Sequence, residues 1–349
     1  MENIQETLLN WYAGNRRNLP WRNNPSPYEV WLSEVILQQT RVSQGMDYYL
    51  RFIDRWPSVV DLAQASEEEV LKMWQGLGYY SRARNLHQCA QQVMKEYNGI
   101  FPADFEKLKH LKGIGCYTAA AIASIAFDLP YAVVDGNVYR VLARLFDIDT
   151  PININKGQTH FSQLADELLN RKQPGLHNQA LMEFGALHCT PQNPNCLLCP
   201  LQAHCLSLAH QTVTQRPVKL RKTKVTTRHF NYLVLRISDS VYLHKRNDND
   251  IWHNLYDFPC IESPKELTVE EVIDTEAFAQ IVDNNSFTIL KVSPIFTHKL
   301  THRTILAQFI EIKLEQKLLQ IETKDLFLTR ESELGNYPIP RLIDLYLNN

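Results

Sequence analysis

The chain has 349 residues, of which 44% are hydrophobic and 21% are charged, so its composition predicts a folded globular protein large enough for two domains. Its net charge of −2 excludes a protein that is basic throughout, although six basic and no acidic residues lie between positions 216 and 228, in a solvated linker or a basic face. No apolar stretch is long enough for a signal peptide or a membrane span, which predicts a cytoplasmic protein with reduced cysteines.

The first part of the chain carries apolar side chains at helical spacing, for example Val70, Leu71 and Trp74. Ser66 precedes three consecutive glutamates, which is typical of a helix N-terminus because the acidic groups face the positive end of the helix dipole. These patterns predict an all-α domain over residues 1–208.

The pattern changes after a stretch without periodicity, residues 209–228, which we interpret as a basic interdomain linker. A helix is predicted at 269–282. Short runs rich in β-branched residues predict strands at 231–237, 240–246, 287–292 and 307–314. Residues 229–349 are therefore predicted to form an α+β domain.

Residues 108–120, LKHLKGIGCYTAA, interrupt two apolar helical segments with Gly113 and Gly115. Glycine permits positive φ and close backbone approach, and the N–H groups that open the following helix can bind an anion. The pattern indicates a helix-hairpin-helix that binds DNA phosphates, although an ordinary helical turn fits it equally well. Further on, Asp135 directly precedes a predicted helix, as an N-cap aspartate does.

Four cysteines lie within seventeen residues, spaced C-x6-C-x2-C-x5-C: Cys189, Cys196, Cys199 and Cys205. In a reducing compartment such a group favours metal binding over disulfides. Structural zinc usually takes its ligands as two short knuckles, whereas one proline-stiffened loop with a single C-x2-C fits a 4Fe–4S cluster better. We therefore predict an iron–sulfur cluster, with zinc as the alternative.

Together the hairpin, the segment VVDGNV and the cysteine loop resemble the helix-hairpin-helix DNA glycosylase superfamily. The segments WLSEVILQQT (31–40) and GLGYYSRARNL (76–86) narrow the resemblance to the adenine DNA glycosylases, the MutY family. The resemblance is close over residues 19–205 and loose after 229. It implies a monomeric base-excision repair enzyme that acts on double-stranded DNA and removes adenine mispaired with 8-oxoguanine or guanine.

Tyr117 separates this family from its sister, endonuclease III, whose hairpin carries a lysine at this position. That lysine attacks the sugar, whereas a phenol cannot form a Schiff base. The resemblance therefore implies base removal without strand cleavage.

Adenine is a poor leaving group as an anion, so its removal needs an acid near the base and a negative charge near the sugar. Glu34 lies in an apolar helical stretch, where burial is expected to raise its pKa and make it the acid. Asp135 is expected to stay ionised at a helix N-terminus and to stabilise the positive charge on the sugar. By resemblance, Tyr117 and Asn137 orient these groups.

An adenine inside a duplex must be rotated out before it can react. By resemblance, Leu37 and Gln39 fill the gap in the base stack, and Tyr79 lies beside the opposing base. The residues that match the family's base pocket are Trp21, Arg22, Gln179 and Glu183.

The C-terminal domain resembles the Nudix fold through its strands and the segment IWHNLYDFP. Its predicted helix lacks the glutamate-rich metal motif of a Nudix hydrolase, which implies a domain that recognises 8-oxoguanine without hydrolysing nucleotides. The segment FTHKLTHR (296–303) matches the recognition turn, with Thr297 where serine is common and His298 next to it. A polar hairpin turn without a recognition role is the alternative.

Three other functions fit parts of the sequence. A bifunctional endonuclease III-like pyrimidine glycosylase/lyase is the nearest, and Tyr117 argues against it. A non-enzymatic iron–sulfur DNA-binding or redox protein would not need Glu34 and Asp135 in these settings. A nucleotide pyrophosphatase would need the acidic helix that the second domain lacks.

Overall fold

The computed structural model describes residues 2–23, 25–220, 225–247, 250–282, 285–318 and 325–348. The chain forms two compact units, which we call the helical unit and the sheet unit. The helical unit comprises Met1–Ala65 and Asn85–Arg221, and the sheet unit comprises Ser66–Arg84 and Lys222–Asn349. Residues 221–224 of the predicted linker lie outside the described residues.

Several helices begin at side chains that satisfy the free N–H groups of the first turn. Ser26, Ser58 and Ser66 each form a capping box, in which the serine and an acidic side chain three residues later accept hydrogen bonds from each other's backbone N–H. The first twelve described helices are α1 (Glu2–Asn15), α2 (Pro27–Leu37), α3 (Val42–Arg55), α4 (Val59–Gln64), α5 (Glu67–Trp74), α6 (Ser81–Tyr97), α7 (Phe105–His110), α8 (Cys116–Phe127), α9 (Gly136–Leu145), α10 (Asn155–Leu168), α11 (Pro174–Leu187) and α12 (Leu206–Ala209).

Helices α8, α9 and α11 form the centre of the helical unit, and α2 packs against α8. Helix α8 is buried at seven consecutive positions, so it contacts neighbours on all sides. Helix α11 approaches the first turn of α9 closely at Gly185. A Cβ at Gly185 would lie 2.7 Å from the Asn137 Cβ and 2.9 Å from its carbonyl oxygen, so only glycine permits this approach.

The sheet unit is built around two twelve-residue strands, β1 (Thr226–Ile237) and β7 (Arg303–Leu314), which pair in parallel. The other described strands are β2 (Ser240–Lys245), β3 (Tyr256–Asp257), β4 (Cys260–Ser263), β5 (Phe287–Val292), β6 (Phe296–Lys299) and β8 (Leu326–Arg330). The strand order is β3-β2-β1-β7-β5, and β4, β6 and β8 pair antiparallel with β1, β7 and β2. Besides α5, this unit contains three further described helices: α13 (Val269–Ile273), α14 (Glu276–Val282) and α15 (Arg341–Leu347).

The predicted fold class is confirmed. The four predicted strands correspond to β1, β2, β5 and β7, and the predicted helix at 269–282 corresponds to α13 and α14. Strands β3, β4, β6 and β8 were not predicted, because two to five residues are too few for alternation to be recognised. The grouping of Ser66–Arg84 with the sheet unit was not foreseen either.

In the described part of the chain, no helix combines the length and the apolar character that crossing a bilayer requires.

Candidate active site

Glu34 and Tyr117 meet where α2 packs against the first turn of α8. The Tyr117 hydroxyl donates a hydrogen bond to Glu34 Oε2 and lies 3.8 Å from Met182 Sδ. Burial, together with the carboxyl groups of Glu34 and Asp135, raises the pKa of Tyr117 well above its ordinary value. Tyr117 is therefore a neutral hydroxyl that donates to Glu34.

The carboxyl group of Glu34 titrates at higher pH than an exposed glutamate. Burial raises its pKa, and the nearby charge of Asp135 raises it further. The hydrogen bond from Tyr117 and the positive charge of Arg22 act in the opposite direction without cancelling the effect of burial. A carboxyl group that keeps its proton at higher pH can serve as a general acid.

Asp135 is the N-cap residue of α9. Its Oδ1 accepts from the backbone N–H groups of Asn137 at 2.9 Å and Val138 at 2.7 Å, and its Oδ2 accepts from Asn137 Nδ2 at 2.8 Å. Burial raises the pKa of Asp135, whereas these hydrogen bonds and the charge of Arg140 lower it, and the net direction is upward. The stabilisation of the anion by the helix N-terminus is thus present, but burial outweighs it.

Arg140 connects this aspartate to the start of the cysteine loop. Its Nη2 donates to Asn137 Oδ1 at 2.9 Å and to the Gly185 carbonyl at 2.6 Å, and its Nε donates to the Cys189 carbonyl at 2.8 Å. Since the Asn137 oxygen accepts from Arg140, the Asn137 amide nitrogen is oriented toward Asp135.

A cleft of about 650 Å³ in the helical unit contains both carboxyl groups. Its volume lies in the range of small-molecule sites. It brings together nine of the predicted site residues: Trp21, Arg22, Glu34, Leu37, Gln39, Tyr117, Asp135, Asn137 and Glu183. Gln179 and the hairpin glycines are not among its lining residues, and Tyr79, Thr297 and His298 belong to the sheet unit.

Glu183 is a fully enclosed charged group of this cleft, with 1% of its surface exposed. Its Oε1 accepts from the Arg17 backbone N–H and Nε at 3.0 and 2.8 Å, and its Oε2 lies 2.7 Å from Arg17 Nη2 and 3.5 Å from Arg22 Nη2. Burial alone would raise the pKa of Glu183, but both arginines more than offset this, so its pKa lies below the ordinary value. Glu183 is therefore an ionised acceptor and not a second acid.

Gln179 does not line the cleft but is linked to it through Tyr12 and Arg22. Its Oε1 accepts from the Tyr12 hydroxyl at 3.2 Å, and the Tyr12 oxygen accepts from Arg22 Nη1 at 3.1 Å. Gln179 therefore fixes Arg22 through Tyr12. Trp21 is buried and makes an edge contact with Tyr49, with ring centroids 4.8 Å apart.

Leu37 ends α2, and Gln39 follows in a tight turn closed by the Thr40 N–H donating to the Leu37 carbonyl at 3.1 Å. Gln39 is exposed and has a φ of 55°, which is uncommon for a residue other than glycine and costs on the order of 1 kcal/mol. Such strain is frequent where a side chain must be presented to a ligand.

The two hairpin glycines serve different purposes. Gly113 has a φ of 74°, and a Cβ there would lie 2.7 Å from the Asn85 Cβ, so the turn requires glycine. Gly115 is the N-cap of α8 with a φ of −89°, which any residue adopts, and open space surrounds the position of a Cβ. The second glycine thus leaves the first turn of α8 open to an approaching anion.

The four cysteines of the loop 189–205 line one cavity of about 30 Å³, together with Arg144 and His188. All four are half-buried free thiols. Arg144 Nη1 donates to Cys189 Sγ at 3.4 Å and to the Thr190 carbonyl at 2.7 Å. Burial raises the pKa of Cys199 to about 11, so this thiol keeps its proton at neutral pH unless a metal replaces it.

The side chains of this cavity suit a group that takes one bond from each of four sulfurs. Within the described ranges, no group of three or more His, Cys, Asp or Glu side chains is arranged to hold a metal ion. The four sulfurs nevertheless share one cavity, and the Arg144 guanidinium beside Cys189 would stabilise the negative charge of ligating thiolates. The donor set therefore fits the predicted cofactor.

In the sheet unit, Tyr79 is 49% exposed, has a φ of 49°, and its hydroxyl lies 3.0 Å from Thr301 Oγ1. The predicted recognition turn forms β6 and the start of β7. Thr297 is exposed on β6, and His298 is half-buried, with its ring 5.9 Å from the Trp252 ring.

Among the cleft residues that sequence reasoning missed, Arg17, Arg140 and Met182 each contact a predicted site residue. Arg17 pairs with a glutamate 166 positions away, so no local pattern could reveal it. Arg140 lies one helical turn after Asn137, and this spacing is a weak signal that could have been used.

Comparisons with known proteins agree with this architecture. The family model described as HhH-GPD superfamily base excision DNA repair protein matches residues 32–166, and the NUDIX domain model matches residues 231–349. The adenine DNA glycosylase of Buchnera aphidicola subsp. Baizongia pistaciae is 35% identical over 308 residues, which is 86% of this chain and 83% of that protein. The human adenine DNA glycosylase is 45% identical over 218 residues, 60% of this chain and 40% of the human protein.

A solved structure of a thermostable thymine-DNA glycosylase superimposes with a TM-score of 0.56 at 28% identity. The match covers 60% of this chain and 96% of that one.

Proposed function

The chain belongs to the adenine DNA glycosylase family, and from this premise we propose that it hydrolyses the N-glycosidic bond of adenine mispaired with 8-oxoguanine or guanine in double-stranded DNA. The observation that carries the proposal is the pair of half-buried carboxyl groups, Glu34 and Asp135, which share one cleft. Burial raises the pKa of both, but only Asp135 accepts from the backbone N–H groups of a helix N-terminus, which oppose the rise and favour its anion.

Glu34 supplies the proton that the departing adenine needs. Tyr117 donates to Oε2 of Glu34, so the acidic proton resides on Oε1 and is transferred to N7 of the base. Protonated adenine leaves as a neutral molecule. Because the cleft buries Glu34 and raises its pKa, a large fraction carries the proton at a pH where an exposed glutamate would be ionised.

Asp135 stabilises the positive charge that develops on the sugar and helps to orient the attacking water. Its two oxygens are held by Asn137 and Val138, so little reorganisation is needed when the charge appears. The anion is the active form, and therefore activity is lost when the pH falls through the raised pKa of Asp135.

Glu183 and Arg22 face the base. Glu183 is ionised and fixed by Arg17, which makes it a suitable acceptor for the exocyclic amino group of adenine. Guanine presents a carbonyl oxygen at the equivalent position and would be repelled. When adenine leaves the stack, Leu37 and Gln39 occupy the space it vacates, which offsets part of the few kcal/mol that unstacking costs.

We also propose that Cys189, Cys196, Cys199 and Cys205 hold a 4Fe–4S cluster. When bound, the cluster supplies four metal–sulfur bonds that cross-link the loop 189–205, and the chemistry of adenine removal is left to the cleft residues. Through Arg140 the ordered loop also supports Asn137 and Asp135.

Cys199→Ser should lose most of the protein's iron and its visible iron–sulfur absorption, because a hydroxyl is a poor replacement for a thiolate ligand. Iron analysis and absorption spectroscopy of the purified protein measure this. Cys116→Ser is the matched control, since Cys116 is an exposed free thiol outside the loop. Zinc instead of iron in the parent protein, or full iron content in Cys199→Ser, would contradict the assignment.

In the sheet unit, Tyr79, Thr297 and His298 are proposed to recognise 8-oxoguanine opposite the adenine. Helices α13 and α14 lack the arginine and the glutamate spacing of a Nudix hydrolase, and Glu271 caps α13 by accepting from the Thr268 backbone N–H at 2.8 Å. This favours recognition over nucleotide hydrolysis as the role of the domain.

The test of the proposed function is a cleavage assay on duplexes with one adenine opposite 8-oxoguanine, guanine, cytosine or thymine. Adenine should be removed opposite the first two bases, and strand breaks should appear only after alkali is added. No lysine lines the cleft among the described residues, so borohydride should trap no covalent complex. Breaks without alkali together with trapping would instead favour the bifunctional lyase.

A further inference from the structure

The segment Ser66–Arg84, which contains Tyr79, belongs to the sheet unit. Four hydrogen bonds attach its two ends to the C-terminal part of the chain. These are Lys72 Nζ to the Tyr337 carbonyl at 3.0 Å, Tyr80 Oη to the Ile339 carbonyl at 3.1 Å, Arg84 Nη1 to the His253 carbonyl at 2.9 Å, and Asn254 Nδ2 to Glu67 Oε1 at 2.5 Å.

Side chains of the same segment hold the backbone next to Tyr79 in place. Trp74 Nε1 donates to the Gly78 carbonyl at 3.0 Å, and Arg82 Nη2 donates to the same oxygen at 3.3 Å. The Arg82 guanidinium also lies 5.5 Å from the centroid of the Tyr79 ring, within the range of a cation–π contact. Tyr79 itself has left-handed backbone geometry, which these contacts hold in place.

The far end of the Tyr79 side chain is fixed by the hairpin between β6 and β7. The Tyr79 hydroxyl and Thr301 Oγ1 lie 3.0 Å apart and share a hydrogen bond. Thr301 lies in the turn that the Leu300 N–H closes by donating to the Arg303 carbonyl at 2.7 Å. Thr297, the proposed recognition residue, lies on the preceding strand of this hairpin.

We infer that Thr301 is a positioning residue for base discrimination, because its hydroxyl bond aligns the Tyr79 ring with the recognition residue Thr297 on the same hairpin. This inference rests on the proposed function, in which Tyr79 lies beside the base opposite adenine. An exposed tyrosine ring without this bond would sample several orientations, and only some of them would place it against that base. Loss of the bond therefore weakens the response to 8-oxoguanine more than it weakens the chemical step.

The test compares the full-length parent with Thr301→Val, Tyr79→Phe and the double variant. Single-turnover rates of adenine removal are measured opposite 8-oxoguanine and opposite guanine. Each single change should lower the ratio of the two rates by a factor on the order of five, the value of one hydrogen bond between exposed groups. The double variant should lose no more than a single variant, because both changes remove the same bond.

Two controls separate positioning from general damage to the hairpin. Thr301→Ser keeps the hydroxyl and should restore the parent ratio. Thr304→Val makes the same substitution three residues further along, where the residue pairs with Lys299, and should leave the ratio unchanged. Additive losses in the double variant, or a Thr301→Val protein with the parent ratio, would overturn the inference while the proposed function stands. A parent protein that removes no adenine or shows no preference would overturn both.

Discussion

Glu34→Gln is expected to lower the rate of adenine removal by a factor of about 10³, while binding to a duplex with an adenine mispair stays nearly unchanged. Glutamine keeps the size of the side chain and can still accept the hydrogen bond from Tyr117, but it has no proton to give to the base. Single-turnover kinetics and a binding titration on the same duplex measure the two quantities. Substantial remaining turnover would remove Glu34 from the role of acid.

Glu29→Gln is the matched control for this variant. Glu29 lies on the same helix and forms its capping box with Ser26, a role that glutamine also fills. Its activity should therefore equal that of the parent.

The raised pKa of Glu34 also has a consequence for stability. A carboxyl group whose pKa is higher in the folded state destabilises the fold increasingly as the pH rises from its unfolded pKa to its folded pKa. Glu34→Gln should therefore melt at a higher temperature than the parent at neutral pH, and the difference should vanish at acid pH, where Glu34 is protonated in both states. Thermal melts at the two pH values measure this, and a Gln variant that is less stable at neutral pH would contradict the buried, protonated acid.

Asp135→Asn is expected to reduce the rate by a factor of about 10² or more, because it removes the negative charge that stabilises the sugar cation. Asparagine is as good an N-cap residue as aspartate, so α9 should keep its start and the melting temperature should not fall. Rates on the same duplex, with thermal melts alongside, distinguish lost catalysis from lost folding. A fall of only a fewfold would contradict the assignment.

The matched control is Asp104→Asn. Asp104 is the N-cap of α7 and accepts from the Lys107 backbone N–H at 2.9 Å, so the control makes the same chemical change at another helix start outside the cleft. In the parent, the rate should rise and then fall with increasing pH, because the reaction needs Asp135 as the anion and Glu34 with its proton. In Asp135→Asn the acid limb should disappear.

The fold class and the hairpin could be predicted because they depend on local spacing, whereas most of the nine predicted cleft residues followed from the family resemblance. Asp135 as an N-cap residue and Gly113 at positive φ follow from rules that involve a few neighbouring residues. Long-range partners do not follow such rules. The pairing of Arg17 with Glu183 and the attachment of Ser66–Arg84 to the sheet unit depend on how distant segments pack.

The direction of the Asp135 pKa shift shows the same limit. The helix N-terminus can be recognised in the sequence, and its N–H groups lower the pKa of Asp135. Burial by the surrounding helices, which the sequence does not reveal, raises the pKa by more than this. The direction of such a pKa shift can therefore be predicted only when both the local hydrogen bonds and the tertiary burial are known.

At Gly185, α11 contacts Asn137 so closely that the width of the cleft depends on the absence of a Cβ atom at this position. In the proposed function Glu183, two positions earlier, contacts the adenine and Asn137 lies near the sugar, so an added methyl group at Gly185 would force apart the helices that carry them. A mutation can therefore abolish activity without altering any group that takes part in bond breaking, because the distance between the two sides of the cleft depends on a residue that has no side chain.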